Sequence, residues 1–173
     1  MGGNFQMVQL WVNLPARHKM SAPKYQAITR DMISRHELPG TAGIVEVISG
    51  EYGHSKGPAS TFTPVHLMNS RLRSEGEAVF SFPQHYLTAL LVIEGEVIVN
   101  EHKMAEENRF VLMANDGSDF TIRAISPSIV LVMSAEPINE PIAAYGPFVM
   151  NTRDELIQAY ADVEAGKFGY LSE

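Results

Sequence analysis

Six histidines, at positions 18, 36, 54, 66, 85 and 102, are the side chains best suited to bind a metal or move a proton near neutral pH. No two stand at H-x-H, H-x3-H or H-E-x-x-H spacing. Those intervals put two imidazoles on one face of a strand or helix. Cysteine is absent, which excludes disulfides, thiolate metal sites and cysteine nucleophiles. Ser-His-Asp chemistry has no strand-to-helix nucleophile elbow to rest on, and no glycine-rich phosphate loop is present. His66 shares the more apolar face of its segment with Met68, Ser70 and Leu72, so it is expected to point inward as a hydrogen-bonded histidine lining the core or a pocket. His102 falls in a hairpin turn, His18 and His36 in charged, loop-like surroundings, and His54 in a loop that either flanks a barrel mouth or is flexible. Glu94 and Glu96 flank Gly95 and read as solvated.

One frame of metal-site spacing does exist. Gly76, five residues, Phe82-Pro83-Gln84, three residues, Thr88, six residues and Gly95 reproduce the spacing Gly, His-x-His, Glu, Gly of a metal-binding double-stranded β-helix. In that spacing alternate strand positions send two imidazoles inward, and the carboxylate enters from the next strand. Here the imidazole positions hold Phe82 and Gln84, and the carboxylate position holds Thr88. Phe cannot coordinate, and Gln and Thr are poor ligands for metals that favour imidazole and carboxylate. His85 is one residue out of register and is expected to point away from the interior. The expected site is therefore a pocket for a small apolar ligand around His66, Met68, Ser70, Gln84 and Thr88, with no catalytic residue and no metal.

The elements that must position these residues are mostly strands. Alternation of apolar residues predicts strands at 6–14, 43–50, 63–72, 88–100 with a break at Glu94-Gly95, 109–114, 119–125 and 128–136. Ser-Gly, Lys-Gly-Pro, Asn-Asp-Gly and Ser-Pro turns separate them. Many short strands with such turns indicate an all-β sandwich or barrel. Residues 24–33, after Pro23, are expected to form a short helix. At the other end Thr152-Arg153-Asp154-Glu155 has capping-box spacing. Leu156, Ile157, Tyr160 and Val163 then form one helical stripe, and Gly166 is placed to end the helix. The preceding YGPFVMN, residues 145–151, reads as a latch: Pro147 stops a strand, Gly146 allows a bend, and Tyr145 and Phe148 pack in the crease.

The 173 residues, 45% hydrophobic, suit one ordinary domain with appended structure. A net charge of -7 disfavours nucleic acid and anionic membranes. The N-terminus lacks the basic and apolar regions of a signal peptide. The expected compartment is the cytoplasm.

A family resemblance joins these segments. QLWVNLPARHKM (9–20), PKYQ (23–26), VISGEYG (47–53), STFTPV (60–65) and EPINEPIAAYGPFVMNT (136–152) resemble pirin in order and spacing over nearly the whole chain. Pirins are bicupins, so the resemblance implies a cupin-like barrel: mainly β, a double-stranded β-helix or sandwich barrel with a short C-terminal helix. The implied organisation is a strand and linker left from the first cupin (1–40), a second cupin barrel (41–151) and a capping helix with tail (152–173). The family's iron lies in the N-terminal cupin, on three histidines and a glutamate, and no position here matches one. The C-terminal cupin usually lacks metal, in agreement with Phe82, Gln84 and Thr88. The implied role is a structural, protein-interaction or small-molecule-binding module. The alternative is part of a metal-dependent quercetin 2,3-dioxygenase, inactive alone. Residues 6–14 are apolar enough to need burial, which implies a homo-oligomer or docking to a missing N-terminal half. A protein partner is also expected.

Overall fold

The computed structural model describes residues 2–3 and 5–169. They fall into two compact units, one of residues 24–137 and one combining the chain up to Pro23 with the chain from Ile138.

The larger unit is built from antiparallel strands. In chain order these are β1 (Ser34–Glu37), β2 (Gly43–Ser49), β3 (Glu51–Tyr52), β4 (Ser55–Lys56), β5 (Val65–Leu72), β6 (Glu77–Ser81), β7 (Leu87–Glu94), β8 (Glu96–Val99), β9 (Lys103–Glu106), β10 (Phe110–Leu112), β11 (Asp119–Ala124) and β12 (Ser128–Ala135). One sheet runs β1-β2-β5-β12-β7-β10 and a second runs β6-β11-β8-β9. Strict alternation explains why each sheet has an inner face. Along β6, Ala78 and Phe80 are buried while Glu77, Val79 and Ser81 are exposed. On β11, Phe120, Ile122 and Ala124 are buried on the same principle. With Val45, Val47, Met68, Leu90, Val92, Val130 and Val132 from the first sheet, these residues form one core. Each large apolar side chain so buried contributes about 1.5–3 kcal/mol.

Gly95 permits the turn from β7 to β8. Its φ is 82°, and a Cβ there would stand 2.5 Å from the Pro127 carbonyl oxygen. The predicted break at Glu94-Gly95 is therefore present, and β2, β5, β10, β11 and β12 lie within their predicted segments.

Two expected elements are absent among the described residues. Residues 24–33 form no helix. They run without regular structure until a turn in which the Met32 N–H donates to the Thr29 carbonyl. Gln26 explains the extended course: its side-chain amide donates to the Ser60 carbonyl and accepts from the Ser60 N–H. Residues 6–14 form no strand among the described residues, and Met7 and Trp11 are each 67% exposed. Alternation marks an apolar face but supplies no strand partner.

The second unit holds α1 (Ala16–Lys19), the hairpin β13 (Ala143–Tyr145) and β14 (Phe148–Met150), and α2 (Arg153–Glu164). Lys19 Nζ donates to Asn13 Oδ1 at 2.7 Å and to the Val149 carbonyl at 2.9 Å, tying the N-terminal segment to β14. Tyr145 and Phe148 pack on Tyr160 of α2, with ring centroids 5.8 and 5.1 Å apart. The capping box is complete: Thr152 Oγ1 accepts from the Glu155 N–H, and the Glu155 carboxylate accepts from the Thr152 N–H. The helix ends in a Schellman motif at Gly166, where the Gly166 N–H donates to Val163 and the Lys167 N–H to Asp162. The expected apolar stripe is not the buried face. Ile157 is 61% and Val163 47% exposed, while Ala159 and Asp162 are buried. Asp162 is held there by Gln158 and Lys167, at 2.8 and 2.7 Å.

Candidate functional site in the barrel

The segment joining β6 to β7 carries the metal-site frame, and its geometry shows what each position does. The Phe82 N–H donates to the Ser118 carbonyl, which extends the β6–β11 pairing by one residue and turns the Phe82 ring inward. The ring is 6% exposed. Its centroid lies 4.9 Å from His66, 6.1 Å from Phe120 and 6.2 Å from Phe80, and Phe80 stacks on Phe120 at 5.3 Å. Thr88 is buried on β7, and its hydroxyl shares a 2.8 Å hydrogen bond with that of Ser134 on β12. Gln84 is exposed, and its amide nitrogen reaches the Asn115 carbonyl at 3.4 Å.

Gln84 and Thr88 line one small recess with Phe82, Tyr86 and Phe120, about 40 Å³ in volume, room for about one water. His66 contacts this recess through the Phe82 and Tyr86 rings. Its Nδ1 faces the Glu51 backbone N–H at 3.5 Å. Burial pushes the His66 pKa below the usual imidazole value, partly opposed by the Glu51 charge. Burial thus favours the neutral ring. Met68 and Ser70 lie deeper, both fully buried on β5. The Ser70 hydroxyl, in register between Val45 and Val130, has no hydrogen-bond partner. The five predicted pocket residues therefore divide into Gln84 and Thr88 at the recess, His66 beside it, and Met68 and Ser70 in the packed core.

This donor set does not fit an iron site. Phe82 has no lone pair to give, the Thr88 hydroxyl is engaged by Ser134, and Gln84 points to the surface. Among the described residues no three His, Asp or Glu side chains converge.

Sequence reasoning missed two features. The rings of Phe80 and Phe120 complete the filling of the barrel, and the alternation of residues 119–125 already put Phe120 inward. The run Gly53-His54-Ser55-Lys56-Gly57 also matches Gly-x-Ser-x-Gly spacing. It forms the tight β3–β4 hairpin, in which Tyr52 pairs with Ser55, and so lacks the strand-to-helix geometry a serine nucleophile requires.

A larger recess, about 960 Å³, opens on the same unit between β1, the β3–β4 hairpin and β6. His36 and Tyr52 meet edge to face there at 5.0 Å. Burial raises the Tyr52 pKa, against a hydrogen bond from the Val79 N–H. On β2, Glu46 is buried among Arg71 and Asn69, each at 3.0 Å, and Arg35 at 3.4 Å. Burial pushes its carboxyl upward, but the Arg71 and Asn69 hydrogen bonds and the two guanidinium charges prevail and hold it below the ordinary value.

The model of the pirin C-terminal cupin domain matches residues 67–169. The chain belongs to the pirin family. It is 38% identical over 167 residues to a Pseudomonas aeruginosa protein provisionally named quercetin 2,3-dioxygenase, covering 96% of this chain and 58% of that protein. A pirin-like protein of Solanum lycopersicum is 31% identical over 171 residues, covering 97% of this chain and 58% of the relative. The crystal structure of quercetin 2,3-dioxygenase from Acinetobacter baumannii matches with a TM-score of 0.89 and 37% identity, over 94% of this chain and 56% of that one. The chain thus spans little more than half the length of these pirin relatives. Among the described residues no helix is long and apolar enough to cross a membrane.

Proposed function

We propose that this pirin C-terminal cupin works without a metal of its own, as a structural, protein-interaction or small-molecule-binding module. The observation that carries the reading is the interior of the barrel. The position that spacing assigns to the first imidazole is a Phe82 ring packed on His66, Phe80 and Phe120. A cavity of about 40 Å³ beside it is far smaller than the ~300–1,000 Å³ typical of small-ligand sites. Oxygen uptake with quercetin and added Fe(II) tests it: the chain alone is expected to match the protein-free control, and turnover above that control would contradict it. The second reading is that the chain forms part of a quercetin 2,3-dioxygenase, with the rest of a full-length pirin supplying the metal. The names of the relatives favour it.

The exposed apolar N-terminal segment is proposed to dock on a second copy of this chain. Phe5 is 85%, Met7 67%, Trp11 67% and Val12 55% exposed, a density of apolar side chains that water does not favour. Sedimentation is expected to show a dimer or larger. A strict monomer would overturn self-association and point to the part of a full-length pirin outside the matched region as the occupant.

A further inference from the structure

Among the described residues the two larger sheets end on four edge strands, β1, β10, β6 and β9. An edge presents unpaired N–H and C=O groups, and charged residues on it keep other strands away. Three of the four carry such charges: Arg35 and Glu37 on β1, Glu77 on β6, and Lys103 and Glu106 on β9. The fourth, β10, is Phe110-Val111-Leu112 and carries none.

The outer side of β10 presents its backbone. The Val92 N–H donates to the Arg109 carbonyl and the Met113 N–H to the Thr88 carbonyl, so Arg109 and Met113 both bond toward β7. Alternate residues of an antiparallel strand bond to opposite neighbours. Val111, which stands opposite Leu90, therefore also bonds inward. The N–H and C=O groups of Phe110 and Leu112 face away from the sheet, where no further strand pairs. The side chains follow the same alternation. Val111 packs on the core, while Phe110 and Leu112 are 58% and 69% exposed. In register they stand beside Leu91 and Ala89 of β7, and Leu87 farther along that strand is exposed as well. An uncharged edge is thus continuous with an apolar patch on one face.

We propose that β10 pairs antiparallel with β10 of a second copy of this chain, about a two-fold axis at Val111. The edge is self-complementary in that register. Phe110 stands opposite the partner's Leu112, the two exchange backbone hydrogen bonds, and the axis repeats the pair. Their side chains meet on one face as an apolar cross-strand pair. Arg109 falls opposite the partner's Met113, so no like charges oppose each other. The pairing joins two six-stranded sheets into one. It goes beyond the docking proposed for the N-terminal segment: the two surfaces share no residue, and either association can fail alone.

Amide hydrogen exchange of the full chain, read residue by residue in dilute and in near-millimolar solution, tests it. So short an edge buries well under the ~1,200 Å² of a standard interface, so the pair is expected to dissociate on dilution. Phe110 and Leu112 are expected to gain roughly tenfold or more protection in the concentrated sample, while Val111 is protected in both. Leu112→Lys puts a charge on the edge and is expected to abolish that gain. Met104→Lys, on the exposed β9 edge, leaves it intact. Trp11→Ala also leaves it intact, which separates this surface from the N-terminal segment. Exchange at Phe110 and Leu112 that does not depend on concentration in the unmodified chain would overturn the proposal. So would a gain that survives Leu112→Lys or is lost in Trp11→Ala.

Discussion

Replacing Thr88 by Val removes one hydroxyl from a buried pair and keeps the side-chain shape. In the folded protein Thr88 Oγ1 and Ser134 Oγ are 2.8 Å apart, on residues 8% and 2% exposed. The substitution leaves the buried Ser134 hydroxyl without its protein partner, which costs about 1–3 kcal/mol. Ser134→Ala should cost a similar amount by stranding Thr88. The double variant loses both groups at once, and removing both partners of a buried hydrogen bond is nearly neutral when shape is kept. The double variant should therefore be more stable than the sum of the single effects, with a coupling of about 0.5–3 kcal/mol. Urea unfolding followed by circular dichroism gives each midpoint. A Thr88→Val change within about 0.3 kcal/mol of wild type, or strictly additive singles, would refute the claim that these two buried hydroxyls satisfy each other.

Phe120→Ala opens the aromatic cluster and is expected to cost about 3–5 kcal/mol, read as a lowered urea midpoint. Burial would raise the Glu46 carboxyl, but the Arg71 and Asn69 hydrogen bonds and the two guanidinium charges hold its folded pKa below the ordinary carboxylate value. Its contribution is therefore present above the unfolded value and is lost as pH falls through the folded one. Glu46→Gln should flatten that acid limb of the stability profile, and an unchanged limb would show that the two guanidinium groups do not act on it. Thr152→Ala removes the cap of α2 and should cost about 0.5–2 kcal/mol, seen as faster amide exchange in the first turn.

Much of this architecture is legible from residue order because a sheet with one wet face writes its burial as a period of two. Ala78 and Phe80 against Glu77, Val79 and Ser81 show this on a strand that sequence reading did not single out. The strand β9, with the residues Lys103-Met104-Ala105-Glu106, was illegible for the opposite reason: only Ala105 is buried, so the alternation has one point. Residues 6–14 carry the pattern but no ladder, since pairing depends on a partner that local sequence does not name. The α2 stripe misled because Asp162 is buried through two hydrogen bonds rather than through apolarity. For the site, the frame spacing located Phe82 and Thr88 correctly inside the barrel, because inward direction follows from register. It could not place Gln84, whose side chain follows the turn out to Asn115.

The central claim is that this pirin cupin holds no metal of its own. Elemental analysis of the purified chain before and after anaerobic incubation with Fe(II), followed by dialysis, tests it most directly. Less than about a tenth of an equivalent is expected under both conditions, because a fold that presents no ligand set retains no metal. Near one equivalent surviving dialysis would contradict it, and His66→Ala would then be the first variant to analyse.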